Sequence, residues 1–233
     1  MKPRAPLVAL LSSLALTSAT AIAAPDSDAP TVVELFQSQG CSSCPPANAV
    51  LNTLADRPDV LALSFAVTYW DYLGWKDRFA HPAYNARQSE YARAGGRTNV
   101  STPQMIVNGR TVLIGHRRAE AEAAIARTRF APGRPAISVA SSRVSLAAGR
   151  PARPANVWLV RYDPRTQNVP IRAGENGGRT LPHRNIVREI YLVGKWDGSA
   201  ASYAMPGAKS PLYRAAILIQ DGPGGAILTA RRI

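Results

Sequence analysis

A chain of 233 residues with 28 Lys+Arg against 15 Asp+Glu and a formal net charge of +13 is long enough for one large domain or two small ones. Size therefore excludes almost nothing, and either arrangement has ample core. The basic balance invites a nucleic-acid reading, but signs of export and the absence of a basic helix or a nucleic-acid motif weigh against one. A coding bias towards Arg and Ala is the plainer source of the charge, with attraction to anionic envelope surfaces as the alternative.

Lys2 and Arg4 precede the apolar run Leu7 to Leu16, and Ala21-Ile22-Ala23 places small residues at the spacing of a signal-peptidase site. This predicts a secretory signal over 1–23, a polar linker over 24–30, and a periplasmic or secreted protein. An uncleaved anchor is the competing reading. It is disfavoured because Ser12, Ser13, Thr17 and Ser18 interrupt a stretch already short for a bilayer, and nothing later resembles a membrane helix.

Val32 to Phe36 reads as a buried strand, Gly40 permits a bend, and Cys41 and Cys44 form a Cys-x-x-Cys that uses both cysteines of the chain. Ala47, Val50, Leu51 and Leu54 then recur at helical spacing and predict a helix from Pro45 to Asp56, with prolines tolerated in its first turn. Val60 to Val67 is a second buried strand, followed by the aromatic cluster Tyr69-Trp70-Asp71-Tyr72-Leu73-Gly74-Trp75. Pro82 opens a helix whose expected inner face is Ala83, Ala86, Tyr91 and Ala94, and Gly95-Gly96 stops it. Asn108-Gly109 between two apolar runs predicts a hairpin over 104–115, entered through Thr102-Pro103, and an Ala-rich helix follows from Arg118 to Arg129.

Strand, Cys-x-x-Cys helix, strand, helix, proline-led hairpin and helix is an order that resembles thioredoxin, so residues 31–131 are expected to form an α/β thioredoxin-like module. The resemblance implies that Pro103 is cis beside the cysteines and that Thr102 offers backbone hydrogen bonds to an extended substrate. The resemblance narrows further on Val33-Glu34-Leu35-Phe36, Ser38-Gln39-Gly40-Cys41-Ser42-Ser43-Cys44-Pro45-Pro46, Tyr69 to Asp77, Ala86-Arg87-Gln88 and Thr102-Pro103-Gln104-Met105. These segments resemble an uncharacterised secreted bacterial family, domain of unknown function 1223, usually described as thioredoxin-like. The likeness covers almost the whole mature chain, and the family brings no assigned reaction. Members commonly carry His and Asp just before the Tyr-Trp-Asp segment. Here Ala66 and Thr68 stand instead, which puts a proton relay built on those side chains in doubt.

In an oxidising compartment a structural disulfide is the default for two lone cysteines. A four-residue loop, however, stabilises by only about 2 kcal/mol in the chain-entropy account, which makes the pair a poor staple. The sharper reading is exchange chemistry, with Cys41 attacking and Cys44 resolving, because a helix amino end favours a thiolate. Cys44 precedes Pro45, which leaves Cys41 on the loop and less fully stabilised. Ser42 and Ser43 tune the couple. Glu34 and Asp71 are candidates for proton transfer or for structural roles, and Tyr69, Trp70 and Trp75 for a substrate surface or for core packing. His81, His116 and His183 lie far apart, so no metal and no other cofactor is assigned.

From Pro132 the texture turns to short β-rich runs: Ala136–Ala140, Val144–Ala147, Asn156–Tyr162, Asn168–Arg172, Ile186–Val193, Tyr213–Gln220 and Ala226–Ala230. They predict an all-β, sandwich-like module over 132–233, and the central Arg188-Glu189 of one run implies a wet face there. Glu175, Asn176 and Arg179 lie in a glycine-rich loop that can cradle a ligand, or dock on the first module and form a wall of the cysteine site. The leading expectation is an exported thiol-disulfide oxidoreductase acting on thiol- or disulfide-containing envelope proteins or small thiols. The alternative is a non-enzymatic envelope protein binding a metal or ligand on the same scaffold.

Overall fold

The computed structural model describes residues 29–128, 130 and 134–233. The expected signal over 1–23, most of the expected linker over 24–30, and the expected module boundary at 131 lie outside these residues. The first half comprises β1 (Thr31–Gln37), α1 (Cys44–Leu54), β2 (Val60–Ala66), α2 (Pro82–Ala94), β3 (Gln104–Val107), β4 (Thr111–Leu113) and α3 (Arg118–Arg127). The second comprises β5 (Ile137–Ala140), β6 (Arg143–Leu146), β7 (Ala155–Asp163), β8 (Gln167–Pro170), β9 (Thr180–His183), β10 (Ile186–Trp196), β11 (Ala201–Ala204), β12 (Arg214–Gln220) and β13 (Ile227–Arg232).

β1 is apolar on both faces because both are covered. Val32 and Phe36 pack with Tyr84 and Tyr91 of α2, while Val33 and Leu35 pack with Ala47, Leu51 and Leu54 of α1 and with Ala121 and Ala124 of α3. Each such Leu or Phe, fully buried, contributes about 1.5–3 kcal/mol. Pro82 opens α2, where the His81 ring nitrogen accepts the Ala83 N–H at 3.1 Å. The buried face of α2 is Tyr84, Arg87, Gln88, Tyr91 and Ala92; of the expected face Tyr91 is buried, Ala83 packs at the core's edge, and Ala86 and Ala94 are exposed. Apolar spacing misplaced this face because two of its central positions are polar: Arg87 turns inward to a buried carboxylate.

The sheet order is β13-β12-β7-β10-β2-β1-β3-β4. β2 pairs parallel to β1 on one side and, at Ser64 opposite Ile186, parallel to β10 on the other. The strands of the second half therefore extend the first half's sheet. A smaller sheet, β11-β6-β5, lies over β7, β10 and β12, where Ile137, Val144 and Leu146 meet Val157, Leu159, Trp196 and Ile217. The β8–β9 ribbon forms a third, two-stranded sheet and brings β9 against α1.

The expected wet face of β10 is found at part-exposed Arg188 but not at its neighbour. Glu189 is buried and accepts from Arg161 Nη1 at 2.9 Å, and the ladder with β7 skips Arg188, which is the extra residue of a bulge. Among the described residues no helix is long and apolar enough to cross a membrane.

Candidate functional site

β1 delivers the chain into a tight turn. The Ser38 hydroxyl accepts the Gly40 N–H at 3.1 Å, the Ser38 carbonyl accepts the Cys41 N–H at 3.2 Å, and the Cys41 carbonyl accepts the Cys44 N–H at 3.2 Å as α1 begins. Cys41 and Cys44 are joined in a disulfide, with Cα atoms 5.5 Å apart. Ser43 is the N-cap without a side-chain cap, and Pro45 and Pro46 withhold two of the amides that a first turn ordinarily presents. The bridge thus sits at a helix amino end whose dipole is intact and whose free donors are few.

The Thr102–Pro103 bond is cis, and the Thr102 carbonyl lies 3.8 Å from the Cys41 sulfur. The Ser43 hydroxyl is 3.3 Å from the same sulfur. Trp70 Nε1 donates to the Thr102 hydroxyl at 2.7 Å and Trp75 Nε1 donates to Gln39 Oε1 at 2.9 Å. Both indoles therefore frame the cysteine turn. Tyr69 donates to Gln88 Oε1 at 3.0 Å, and burial pushes its phenol up to about 12. Tyr72, at 78% exposure, stacks on Trp70 with centroids 6.5 Å apart and leaves an aromatic face open to solvent.

The glycine-rich loop of the second half lies against this turn. Asn176 Nδ2 donates to the carbonyls of Gln39 and Cys41, each at 2.9 Å, and the Glu175 carboxylate accepts the Ser42 N–H at 2.9 Å. That bond holds the Glu175 carboxyl below its usual range. Arg179 Nη1 donates to Asn176 Oδ1 at 2.8 Å and fixes the amide's orientation. Under this cover Cys41 is 0% and Cys44 1% exposed.

Of the groups behind the turn, the sequence offered Asp77 only within a family-like segment and His183 only as one of three scattered histidines. Asp77, buried, accepts the N–H of Gln39 and that of Phe79, each at 2.9 Å, and desolvation raises its carboxyl to about 6 against those two hydrogen bonds. His183 is buried edge-on to Phe79, centroids 5.9 Å apart, and burial lowers it to about 4, with Arg78 pushing the same way. Its Nδ1 lies 3.2 Å from the Asn48 Nδ2 amide, which also donates to the Pro182 carbonyl at 2.7 Å. This pattern assigns the ring proton to Nε2. Asp77, in irregular backbone, and His183, at the end of a four-residue strand, carry no periodicity that marks them as a pair.

Glu34 is placed elsewhere. It shares a β1 face with Val32 and Phe36, away from α1, and takes Arg87 Nε at 2.6 Å and the Tyr91 hydroxyl. Arg87 Nη1 and Trp158 Nε1 both donate to Gln220 Oε1, at 3.2 and 2.9 Å. Of the two roles expected for Glu34, these contacts carry the structural one, between the two halves. Asp71 accepts the Asp77 N–H at 3.1 Å and so braces the Asp77 segment. His81 caps α2, His116 is exposed and His183 pairs with Asn48. Among the described residues no group of three or more His, Cys, Asp or Glu is placed to hold a metal.

Among solved structures, the chain is similar to protein AGR_C_4864 from Agrobacterium tumefaciens at 33% identity and a TM-score of 0.70, over 87% of this chain and 93% of that one. It is also similar to HBP35 of Porphyromonas gingivalis with a TM-score of 0.58, over 90% of this chain and 76% of that one. At 13% identity that likeness is one of fold alone. No curated protein matches. The family model described as protein of unknown function (DUF1223) matches residues 32–220, and with a 33% identical relative spanning most of both chains, this chain belongs to that family.

Proposed function

We propose that the chain is an exported thiol-disulfide exchange protein built on a thioredoxin-like module of about 31–131, with the sandwich-like remainder walling its site. The observation that carries this reading is a Cys-x-x-Cys disulfide at the amino end of α1, its Cys41 sulfur 3.8 Å from the carbonyl that precedes cis Pro103. The sheet order β2-β1-β3-β4 and the element order support the module assignment. In the reduced protein the Cys41 thiolate attacks one sulfur of a substrate disulfide, forming a mixed disulfide and expelling the other sulfur as a thiolate. The Cys44 thiolate then attacks the Cys41 sulfur, closes the Cys41–Cys44 bond and releases the second substrate thiolate. Two electrons pass from the dithiol to the substrate, and the reverse sequence oxidises a substrate dithiol. Tyr72 and Trp70 offer an exposed platform for the substrate chain, and Thr102 offers its backbone.

A Cys44→Ser variant is expected to accumulate mixed disulfides with envelope proteins or small thiols, and the wild-type couple to equilibrate between roughly −120 and −270 mV. A bridge that stays oxidised far below that range, with no trapped partner, would overturn the reading. The burial of both sulfurs favours one competing class, a non-enzymatic binding protein with a static bridge. It predicts that a small thiol reduces the folded protein only as fast as it globally unfolds.

A further inference from the structure

Away from the cysteines, a solvent-open cavity of about 390 Å³ lies between the Arg78-Phe79 segment and the strands of the second half, with Asp163, Arg165, Arg188 and Tyr213 completing most of its wall. Its volume falls in the range of small-molecule sites. Its charge is unbalanced. Asp163 is already taken by Arg165, whose Nε and Nη2 reach its two oxygens at 2.8 and 2.6 Å, and by Gln167 at 2.7 Å. Arg188 makes no hydrogen bond or ion pair among the described residues, and Arg78 has only the Gln167 amide oxygen at 3.3 Å.

Both unbalanced guanidiniums converge on one ring: Arg78 lies 4.8 Å and Arg188 5.2 Å from the Phe79 centroid. Both cations line the one cavity, and an anion bound there offsets their mutual repulsion. Arg188 is there because the β10 ladder bulges at this residue, as bulges do where a side chain is re-aimed. A carboxylate would neutralise one of the two cations. A phosphate monoester brings a charge near −2 and three acceptor oxygens for the Arg78 and Arg188 forks and the Tyr213 hydroxyl.

We propose that this cavity is a binding site for a phosphate monoester group, carried by a small molecule or by a lipid headgroup. Calorimetry on the full chain with inorganic phosphate, and separately co-sedimentation with vesicles containing phosphatidic acid, test it. The expected result is saturable binding to at least one probe that Arg188→Gln and Arg78→Gln each weaken by about tenfold or more, the loss of a charge-assisted hydrogen bond. Arg143→Gln, on β6 outside the cavity, should leave it nearly unchanged. Binding in calorimetry assigns the free ligand, and binding to vesicles alone assigns the headgroup. Arg78 is exposed, so its variant carries the test if the Arg188 variant does not fold. Absence of binding to both probes overturns the site, as does equal weakening by all three substitutions, which would report general charge alone.

Discussion

Asp77 and His183 flank the cysteine turn from opposite halves of the chain, and their titrations act on stability with opposite signs. Asp77 titrates near 6 in the folded protein against 3.8 for the free group. The folded state therefore holds this proton more tightly, and the stability linked to it is fully present below 3.8 and lost as pH rises through 6. His183 titrates near 4 against 6.5, so its contribution is present above 6.5 and lost as pH falls through 4. Each amounts to about 3 kcal/mol at one kcal-scale step of 1.36 per pH unit, over nearly the same window. The two nearly cancel in the wild type. Urea unfolding across pH 4 to 6.5 should thus show Asp77→Asn losing stability on acidification and His183→Asn gaining it, whereas parallel curves for the two variants would contradict the assignment. Neither group was legible as a pair in the sequence, because the contact that matters runs through Phe79 and joins positions more than a hundred residues apart.

Among elements, the 174–179 loop lies against the cysteine turn. Its hold rests on two Asn176 donations and one Glu175 acceptance at the cysteine turn. If each hydrogen bond is worth about 1 kcal/mol net, removing the two made by Asn176 raises the population of an opened loop by roughly tenfold or more. Asn176→Ala should accelerate reduction of Cys41–Cys44 by a small thiol by that factor while the unfolding midpoint moves far less. Glu175→Gln should act in the same direction, since an anion beside Ser42 also opposes a Cys41 thiolate. An unchanged reduction rate in both would show that the loop is not the barrier. The place of this loop could be suspected from its glycines and polar residues, and so could the cysteine turn, since buried strand, bend and helix spacing all carry local patterns. The α2 face was not legible, because Arg87 and Gln88 are polar residues buried by partners distant in sequence. Strands β9 and β11 were missed because four residues such as Thr-Leu-Pro-His have no resolvable alternation.

At the scale of the molecule, the two halves share one eight-stranded sheet. The join was illegible from sequence: a strand buried on both faces reads the same whether its neighbour is one strand or two, so nothing in Val60 to Ala66 announces β10. Beyond the shared sheet, Arg87 binds Glu34 in one half and Gln220 in the other. The β12–β13 turn wedges against both α2 and the β3–β4 hairpin tip. Gly224, at φ +63°, approaches so closely that a Cβ there would fall 2.1 Å from the Glu90 carbonyl oxygen, and a Cβ on Gly109 would fall 2.5 Å from the Gly225 carbonyl oxygen. Ile227 N–H meets the Asn108 carbonyl at 2.9 Å at the same point. Splitting the halves would strip Arg87 of one partner, expose the β2 edge and open this wedge together, so no intermediate with one half folded should accumulate. Urea transitions followed by indole fluorescence, with Trp70 and Trp75 in the first half and Trp158 and Trp196 in the second, should coincide with far-ultraviolet dichroism. Gly224→Ala strains both its backbone and the Glu90 contact, and should lower the unfolding free energy by about 2 kcal/mol or more without splitting the transition. Two separated transitions, in the wild type or the variant, would show that the shared sheet does not couple the halves.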